Sequence, residues 1–244
     1  MKKIVAISAF LLGFTLVATA QETIRFGFQL SPAFSWMASN SSRINTSGTN
    51  LGIKLGMVGE YYFQENYAFT TGIGFHFNAG GTLLYDNAGS YWKKTDLPDP
   101  LTSLSADTKL KYDIQYLEIP AGLKMRTREF GYIRYFLEPN IVFGFRTQAR
   151  GTIQDPGKNG EDEEKYNIQK EVNALNLSWG LRGGIEYTIS ENTSIIGGLG
   201  FQVGFTDATD DNGTEFDPNT PSGERREDSK GTVRAIVLRL GVMF

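Results

Sequence analysis

Large apolar side chains alternate with small or polar ones through most of this sequence, and this period of two restricts the fold more than any other feature. The clearest stretch covers residues 173–187, where Leu, Trp, Ile and Tyr alternate with Asn, Ser, Gly, Arg and Glu. Successive side chains of a β-strand point to opposite faces, whereas an amphipathic helix repeats every 3.6 residues. The chain is therefore predicted to be all-β.

Eight segments carry this alternation, and the connections between them are short and long in turn. The predicted strands cover approximately residues 24–36, 51–63, 67–79, 109–126, 132–147, 173–187, 195–205 and 235–244. The short connections are 64–66, 127–131 and 189–193, and the long polar ones are 37–50, 80–108, 148–171 and 206–230. This layout is typical of barrels in the outer membrane. We predict an eight-stranded antiparallel transmembrane β-barrel with short periplasmic turns, long extracellular loops and both termini periplasmic.

The side on which the large residues lie distinguishes a membrane barrel from a soluble one. A soluble barrel hides its large apolar residues inside, but eight strands enclose only a narrow interior. Rows rich in Phe, Tyr, Leu, Ile and Trp would overfill that interior, so we expect these rows to face lipid and the Gly-rich polar rows to face inwards. A soluble barrel carrier remains the alternative.

Aromatic residues occur towards both ends of the apolar rows, as in the girdles of transmembrane barrels. Those near short turns are Tyr61, Phe63, Tyr67, Tyr135 and Tyr187, and those towards long loops are Phe34, Trp36, Phe75, Phe77, Phe145 and Phe205. Strands favour aromatic residues in any case, so this pattern supports the prediction without deciding it.

The first twenty residues have the pattern of a cleavable secretory signal. Two lysines precede the apolar run 4–17, and a small-residue tripeptide at 18–20 forms a cleavage site. We predict a signal peptide over residues 1–20 and a barrel domain over residues 21–244. A short N-terminal membrane anchor is the alternative.

The composition excludes several kinds of protein. The chain has no Cys, which removes disulfides, thiolate nucleophiles and Cys-based zinc sites. No stretch beyond the N-terminus approaches the roughly 20 apolar residues of a membrane-spanning helix. The formal net charge of −3 gives no basic surface for nucleic acid. We predict no cofactor and no nucleic-acid partner.

Charged residues recur on the predicted inward rows. If the strands near 132–147 and 173–187 pair antiparallel, one register places Glu138 opposite Arg182 and Arg134 opposite Glu186. Such ion pairs suit a narrow polar interior, because a buried charge without a partner is costly. The inward charges are Arg25, Lys54, Glu60, Glu118, Lys124, Arg126, Arg134, Glu138, Arg146, Arg182, Glu186, Arg234 and Arg239.

We interpret these charges as a structural network that fills the lumen. Their basic surplus leaves a narrow porin-like channel as an alternative, although aqueous channels become general only at about sixteen strands. His76, the one histidine, is a candidate base, but spacing assigns it no Ser or carboxylate partner, so we predict no catalytic residue. A lipid-modifying enzyme and an omptin-like protease are the less favoured alternatives.

Two loops contain runs of acidic residues that could supply oxygen ligands to Ca²⁺. They lie at 161–164 and 207–217, and neither matches the ligand spacing of an EF-hand. Solvated acidic loops explain both runs, so we predict no metal site.

Several segments resemble the PorT-like outer-membrane β-barrel family across essentially the whole mature chain. They are Tyr116-Leu117-Glu118-Ile119-Pro120-Ala121-Gly122-Leu123-Lys124, Gly183-Gly184-Ile185-Glu186-Tyr187, the strand 197–205 and the C-terminal Leu238-Arg239-Leu240-Gly241-Val242-Met243-Phe244. The resemblance implies an accessory role in the cell envelope, such as in type IX secretion, and carries no catalytic residues. Phe244 resembles the terminal aromatic signal that barrel-assembly machinery reads. The implied partners are outer-membrane lipid, that machinery and other envelope or secretion proteins.

Pro120 also has a direct physical consequence. Proline lacks the backbone N–H that a ladder requires, so we expect a bulge or an interrupted ladder at this position. Glu118, two residues earlier on the inward row, would need an Arg or Lys partner.

Overall fold

The computed structural model describes residues 24–157 and 164–244, which leaves the predicted signal peptide outside the described residues. Twelve strands occur there in chain order: β1 (Ile24–Ser39), β2 (Ile44–Gln64), β3 (Tyr67–Tyr85), β4 (Gly89–Ser90), β5 (Thr108–Arg126), β6 (Ile133–Gln154), β7 (Tyr166–Asn167), β8 (Leu175–Ser190), β9 (Thr193–Gly204), β10 (Thr214–Phe216), β11 (Glu224–Arg226) and β12 (Gly231–Met243). Two 3-10 turns lie at Asp99–Leu101 and Gln169–Glu171. In these residues no helix is long and apolar enough to cross a membrane.

Eight of the strands form a closed antiparallel ring, in the order β1, β2, β3, β5, β6, β8, β9 and β12. β12 pairs with β1 and closes the ring, with Val242 opposite Phe28 and Ile236 opposite Phe34. Closure gives every long strand a neighbour on both sides, which a barrel in hydrocarbon requires. The predicted eight-stranded antiparallel β-barrel is confirmed.

A belt of exposed apolar side chains surrounds the barrel. On β8 and β9, for example, Trp179 is 48% and Leu199 is 63% exposed, whereas their chain neighbours Ser178 and Gly200 are buried. The apolar part of each long strand covers about 10 residues, which is the length of a tilted membrane-spanning strand. Large apolar residues therefore face outwards and polar residues face the lumen, as the alternation predicts.

Four strands, β2, β3, β5 and β6, continue beyond this belt, and their pattern inverts there. On β5 the outward residues change from Leu117 to Lys109 and Lys111, while the inward ones change from Glu118 to buried Leu110 and Tyr112. The strand thus leaves the apolar layer near residue 116. Beyond it, water solvates the outer face and apolar residues fill the inside.

The inverted segments, three loops and the adjoining parts of β1 and β12 form an apolar core, which we call the cap cluster. Its members are Met37, Ile44, Ala79, Leu83, Tyr85, Tyr91, Trp92, Leu101, Leu104, Leu110, Tyr112, Ile114, Tyr116, Ala149, Ile153, Tyr166, Ile168, Val172, Ala208 and Val233. A small sheet of β11, β10 and β4 joins two of the loops. The cap cluster closes the long-loop end of the lumen.

The strands are longer than predicted at the long-loop end, and the first long loop is absent. Residues 37–50 were expected to form a loop, but β1 and β2 extend through most of this range and leave only residues 40–43 as a connection. The prediction was wrong because β2 has an inverted pattern beyond the belt. Its outward residues are polar there, so the apolar row that identifies the strand within the belt stops. Three long connections remain, at 86–107, 155–174 and 205–230.

Two irregularities bend the wall where the pattern inverts. The β3–β5 register shifts between His76 and Ala79, where Asn78 has φ of 58° and Gly80 has φ of 109°. The β5–β6 register shifts beside Tyr116. The β3–β5 pairs before and after Pro120 keep the same register, so no bulge forms at the proline. Pro120 instead interrupts the β3–β5 ladder, which is the other of the two expected outcomes.

Candidate functional site

The lumen contains three clusters of charged side chains, stacked along the barrel axis. The first lies near the short turns and is centred on Lys124, which is fully buried. Its ammonium donates to Glu60 at 2.6 Å and also to Glu186, and it lies 4.9 Å from the centroid of the Phe136 ring. Arg25 adds a contact to Glu186 at 3.6 Å. β5 thus contacts β2 and β8, neither of which is its neighbour in the ring.

The second cluster lies in the middle of the lumen, around the fully buried carboxylate of Glu138. Arg182 donates to Glu138 Oε1 at 2.9 Å, and Arg239 donates to Oε2. Thr70 adds a hydrogen bond at 3.2 Å. Two guanidiniums, one from the neighbouring β8 and one from β12, which is not a neighbour of β6, therefore share a single carboxylate.

The third cluster lies towards the cap and is centred on Glu118. Lys54 donates to both carboxylate oxygens, at 2.9 and 2.6 Å, and to Gln202 at 2.6 Å. His76 Nδ1 lies 3.4 Å from Glu118 Oε1. Glu118 therefore has the basic partner that was expected from the sequence. This partner, Lys54, lies on β2, and β3 lies between β2 and β5.

The predicted register between β6 and β8 is present, but only one of its two ion pairs forms. Glu138 faces Arg182 and contacts it, whereas Arg134 faces Glu186 without a contact. Arg134 lies at the end of β6 and binds Glu129 of the adjacent turn at 2.8 Å. Glu186 is instead occupied by Lys124.

Arg234 was also assigned to the wrong face. It is exposed on the outward side of β12, in the same row as Ile236 and Leu238, near the long-loop edge of the apolar belt. Strand parity alone places it there, because residues 234, 236 and 238 share one face.

Very little space remains between these clusters. A cavity of about 10 Å³ lies among Lys54, Asn140, Arg182, Gln202 and Arg239. That volume holds about one water molecule. The lumen charges at the centres of the clusters, such as Lys124 and Glu138, are fully buried, and the cap cluster lies above them.

Buried carboxylates connect the loops of the cap. Glu215 on β10 accepts hydrogen bonds from Arg43 at 2.7 Å, from Arg225 at 3.0 Å and from Asn87 at 3.1 Å. The backbone of Lys94 donates to Glu171 Oε1 at 2.5 Å. Glu215 by itself therefore contacts residues of three separate connections between the long strands.

The acidic residues of the last long loop lie close together. Burial and the charge of Asp207 raise the pKa of Asp211 to about 6, with further contributions from Asp210 and Asp228 and an opposing one from Arg226. Within residues 24–157 and 164–244, no group of three acidic or histidine side chains is arranged to hold a metal ion. The acidic run at 161–163 lies outside the described residues.

The barrel wall separates His76 from the lipid. Its ring is 2% exposed and lies inside the barrel, behind the backbone of β3. The polar atom nearest to it among the described contacts is a Glu118 oxygen that is also bound by Lys54. No serine hydroxyl contacts this histidine in the described part of the chain.

The sequence comparison assigns the fold to a family. Residues 19–210 match the model of the family described as outer membrane protein beta-barrel domain. The chain belongs to this family. It is therefore an outer-membrane β-barrel protein, and its location is the outer membrane. The match is to the barrel domain in general, so the narrower PorT-like resemblance stays a prediction.

A search of curated proteins found no match to the sequence. Among solved structures, Neisserial surface protein A is 12% identical with a TM-score of 0.46, covering 90% of this chain and 95% of that one. A major outer membrane protein from Thermus thermophilus is 15% identical, with a TM-score of 0.44 and coverages of 91% and 98%. The outer membrane protein OprG from Pseudomonas aeruginosa is 10% identical, with a TM-score of 0.40 and coverages of 91% and 96%.

Proposed function

We propose that this protein is a non-enzymatic, non-conducting barrel whose filled lumen supports a rigid extracellular cap for contact with other envelope components. The observation that carries the proposal is the double closure of the lumen by ion pairs within the membrane and by the cap cluster above it. A channel would need neither, and a catalytic site would need an accessible reactive group. Both termini are then periplasmic, and Phe244 at the end of the last strand is available to the assembly machinery.

Conductance in planar lipid bilayers tests whether the lumen is closed. The purified full-length protein is expected to give no steady channel events. Variants Arg182→Gln and Arg239→Gln are compared with it, because a narrow anion-selective pore would change its conductance when either charge is removed. Reproducible events that respond to these substitutions would establish the porin-like alternative.

Lipid analysis tests the enzymatic alternative. Cells with the wild-type gene, with His76→Ala and without the gene are expected to have the same lipid A and phospholipid profiles. A lipid species that disappears in both the deletion and the His76→Ala strain would show that the barrel modifies lipid.

Support for protein export is the most specific role that we propose, and it rests on the PorT-like resemblance. In a deletion strain, type IX cargo is expected to accumulate in the periplasm and to return to the medium on complementation. Proteomics of the periplasm and the culture medium measures both. Unchanged export would remove the secretion role, whereas the conductance experiment decides separately whether the barrel is closed.

A further inference from the structure

Four inward residues lie side by side where the polar lumen meets the cap cluster, and we call this level the neck. They are Lys54 on β2, His76 on β3, Tyr116 on β5 and Arg146 on β6, each the direct cross-strand partner of the next. Directly paired side chains on one face of a sheet have Cβ atoms about 5 Å apart. The neck is therefore a continuous polar row across four neighbouring strands.

Three polar atoms of the neck have no hydrogen-bond partner among the described residues. They are His76 Nε2, Tyr116 Oη and Arg146 Nε, and all three are buried. Other atoms of His76 and Arg146 do have partners. His76 Nδ1 faces Glu118, and Arg146 Nη1 donates to the carbonyl of Val172. Native proteins rarely leave buried polar atoms unpaired, and ordered water is the usual partner when no side chain is.

The chemistry of the three atoms indicates which molecule binds them. The Arg146 Nε–H can only donate, and the Tyr116 hydroxyl can donate or accept. His76 Nδ1 faces a carboxylate and so holds the hydrogen of a neutral ring, which leaves Nε2 as an acceptor. Water has two hydrogens and two lone pairs and satisfies this mixed set. A halide would repel the lone pair of Nε2, and a metal cation would be repelled by Lys54 and Arg146.

The wall beside the neck is a close approach of backbone, because residue 144, on the inward row of β6 next to Arg146, is glycine. A Cβ there would lie 3.1 Å from the carbonyl oxygen of Asn176 and 3.5 Å from Tyr116 Cδ1, so no larger side chain separates the neck atoms on this side. We propose that the neck binds one ordered water, held by Tyr116 Oη, His76 Nε2 and Arg146 Nε. This water joins the hydrogen bonds of the lumen to the cap.

Crystals of the full-length protein grown with and without sodium bromide test this site directly. The expected result is a density peak without anomalous signal, between about 2.6 and 3.2 Å from the three atoms. An anomalous bromide peak would overturn the water assignment in favour of an anion. A neck without any density between the three atoms would overturn it as well.

Stability gives a second readout through Tyr116→Phe, which removes only the hydroxyl. If that hydroxyl binds a structural water, its loss is expected to lower the midpoint of thermal unfolding by about 2 to 4 °C. Tyr132→Phe is the matched control, because Tyr132 is 66% exposed and its midpoint is expected to stay unchanged. A hydroxyl without a partner would be dispensable, so an unchanged or raised midpoint in Tyr116→Phe would contradict the proposal.

Discussion

Glu138 shows how this lumen tolerates charge at the level of single residues. The carboxylate is fully buried, but Arg182 and Arg239 approach it from two different strands. Removing the carboxylate would leave two guanidiniums facing each other in a narrow space. Removing one partner of a buried ion pair destabilises a protein far more than the intact pair stabilises it.

We therefore expect Glu138→Gln to lower the free energy of unfolding by about 3 to 5 kcal/mol. Unfolding in urea from lipid vesicles, followed by tryptophan fluorescence, measures this. Glu129→Gln is the control, because the Glu129–Arg134 pair is partly exposed and contributes at most about 1 kcal/mol.

A charge swap tests which residues contact Glu138. Combining Glu138→Arg with Arg182→Glu is expected to restore only part of the lost stability, because Arg239 then faces a new positive charge. Purely additive damage in the double variant would show that the Glu138–Arg182 contact is absent.

At the scale of single elements, β3 depends on the bend that carries it from the apolar belt into the cap. Gly80 lies in this bend with φ of 109°, and a Cβ there would come within 2.4 Å of the Tyr112 carbonyl oxygen. Both the backbone angle and the close approach require glycine.

Gly80→Ala is therefore expected to destabilise the protein by at least about 1 kcal/mol, mainly in the cap. Protease cleavage in the connection 86–107 measures the loosening of the cap. Gly197→Ala is the matched control, because a Cβ at that outward position meets nothing within 4 Å and the backbone angle is ordinary. Equal cleavage in the two variants would contradict this account of β3.

The last long loop is expected to respond to pH through Asp211. Its pKa is raised in the folded protein to about 6, mainly by burial and by the neighbouring Asp207. A carboxyl with a raised pKa binds protons more tightly in the folded than in the unfolded state, so its contribution to stability falls as pH rises from about 4 to about 6. Above that range the contribution no longer changes.

Thermal unfolding across this pH range measures the effect. Asp211→Asn is expected to reduce the fall in the unfolding midpoint between about pH 4 and 6, because the amide does not ionise. Asp96→Asn, an exposed position in another loop, is the control and is expected to leave the profile unchanged. A wild-type profile in Asp211→Asn would contradict the role of this carboxyl.

The molecule as a whole has two cores with opposite patterns. Within the membrane, apolar residues face outwards and ion pairs fill the inside, whereas in the cap apolar residues fill the inside and polar residues face water. This arrangement predicts that the cap is extracellular and that the short turns are periplasmic.

Single cysteines test this orientation cleanly because the chain has none. Ser222→Cys, exposed in the last long loop, is expected to react with a membrane-impermeant maleimide on intact cells. Asn192→Cys, exposed in a short turn, is expected to react only after the outer membrane is permeabilised. The reverse labelling pattern would show that the barrel is inserted the other way.

The sequence by itself determined the all-β class, the eight long strands and the faces of their membrane-spanning parts. Side-chain alternation is local to each strand, so it can be read without knowing the neighbours. The β6–β8 register also followed from two matching charge pairs, because these strands are consecutive members of the ring.

Only the tertiary structure decided which charges meet and how the barrel is closed. Lys124 contacts Glu60 and Glu186, and Arg239 contacts Glu138, between strands that are not neighbours in the ring. These contacts depend on the curvature and stagger of the closed barrel, and the side-chain pattern of a single strand contains no information about either. The cap cluster likewise gathers residues from six long strands and three loops. Its inverted pattern is explained only by the place at which the strands leave the membrane.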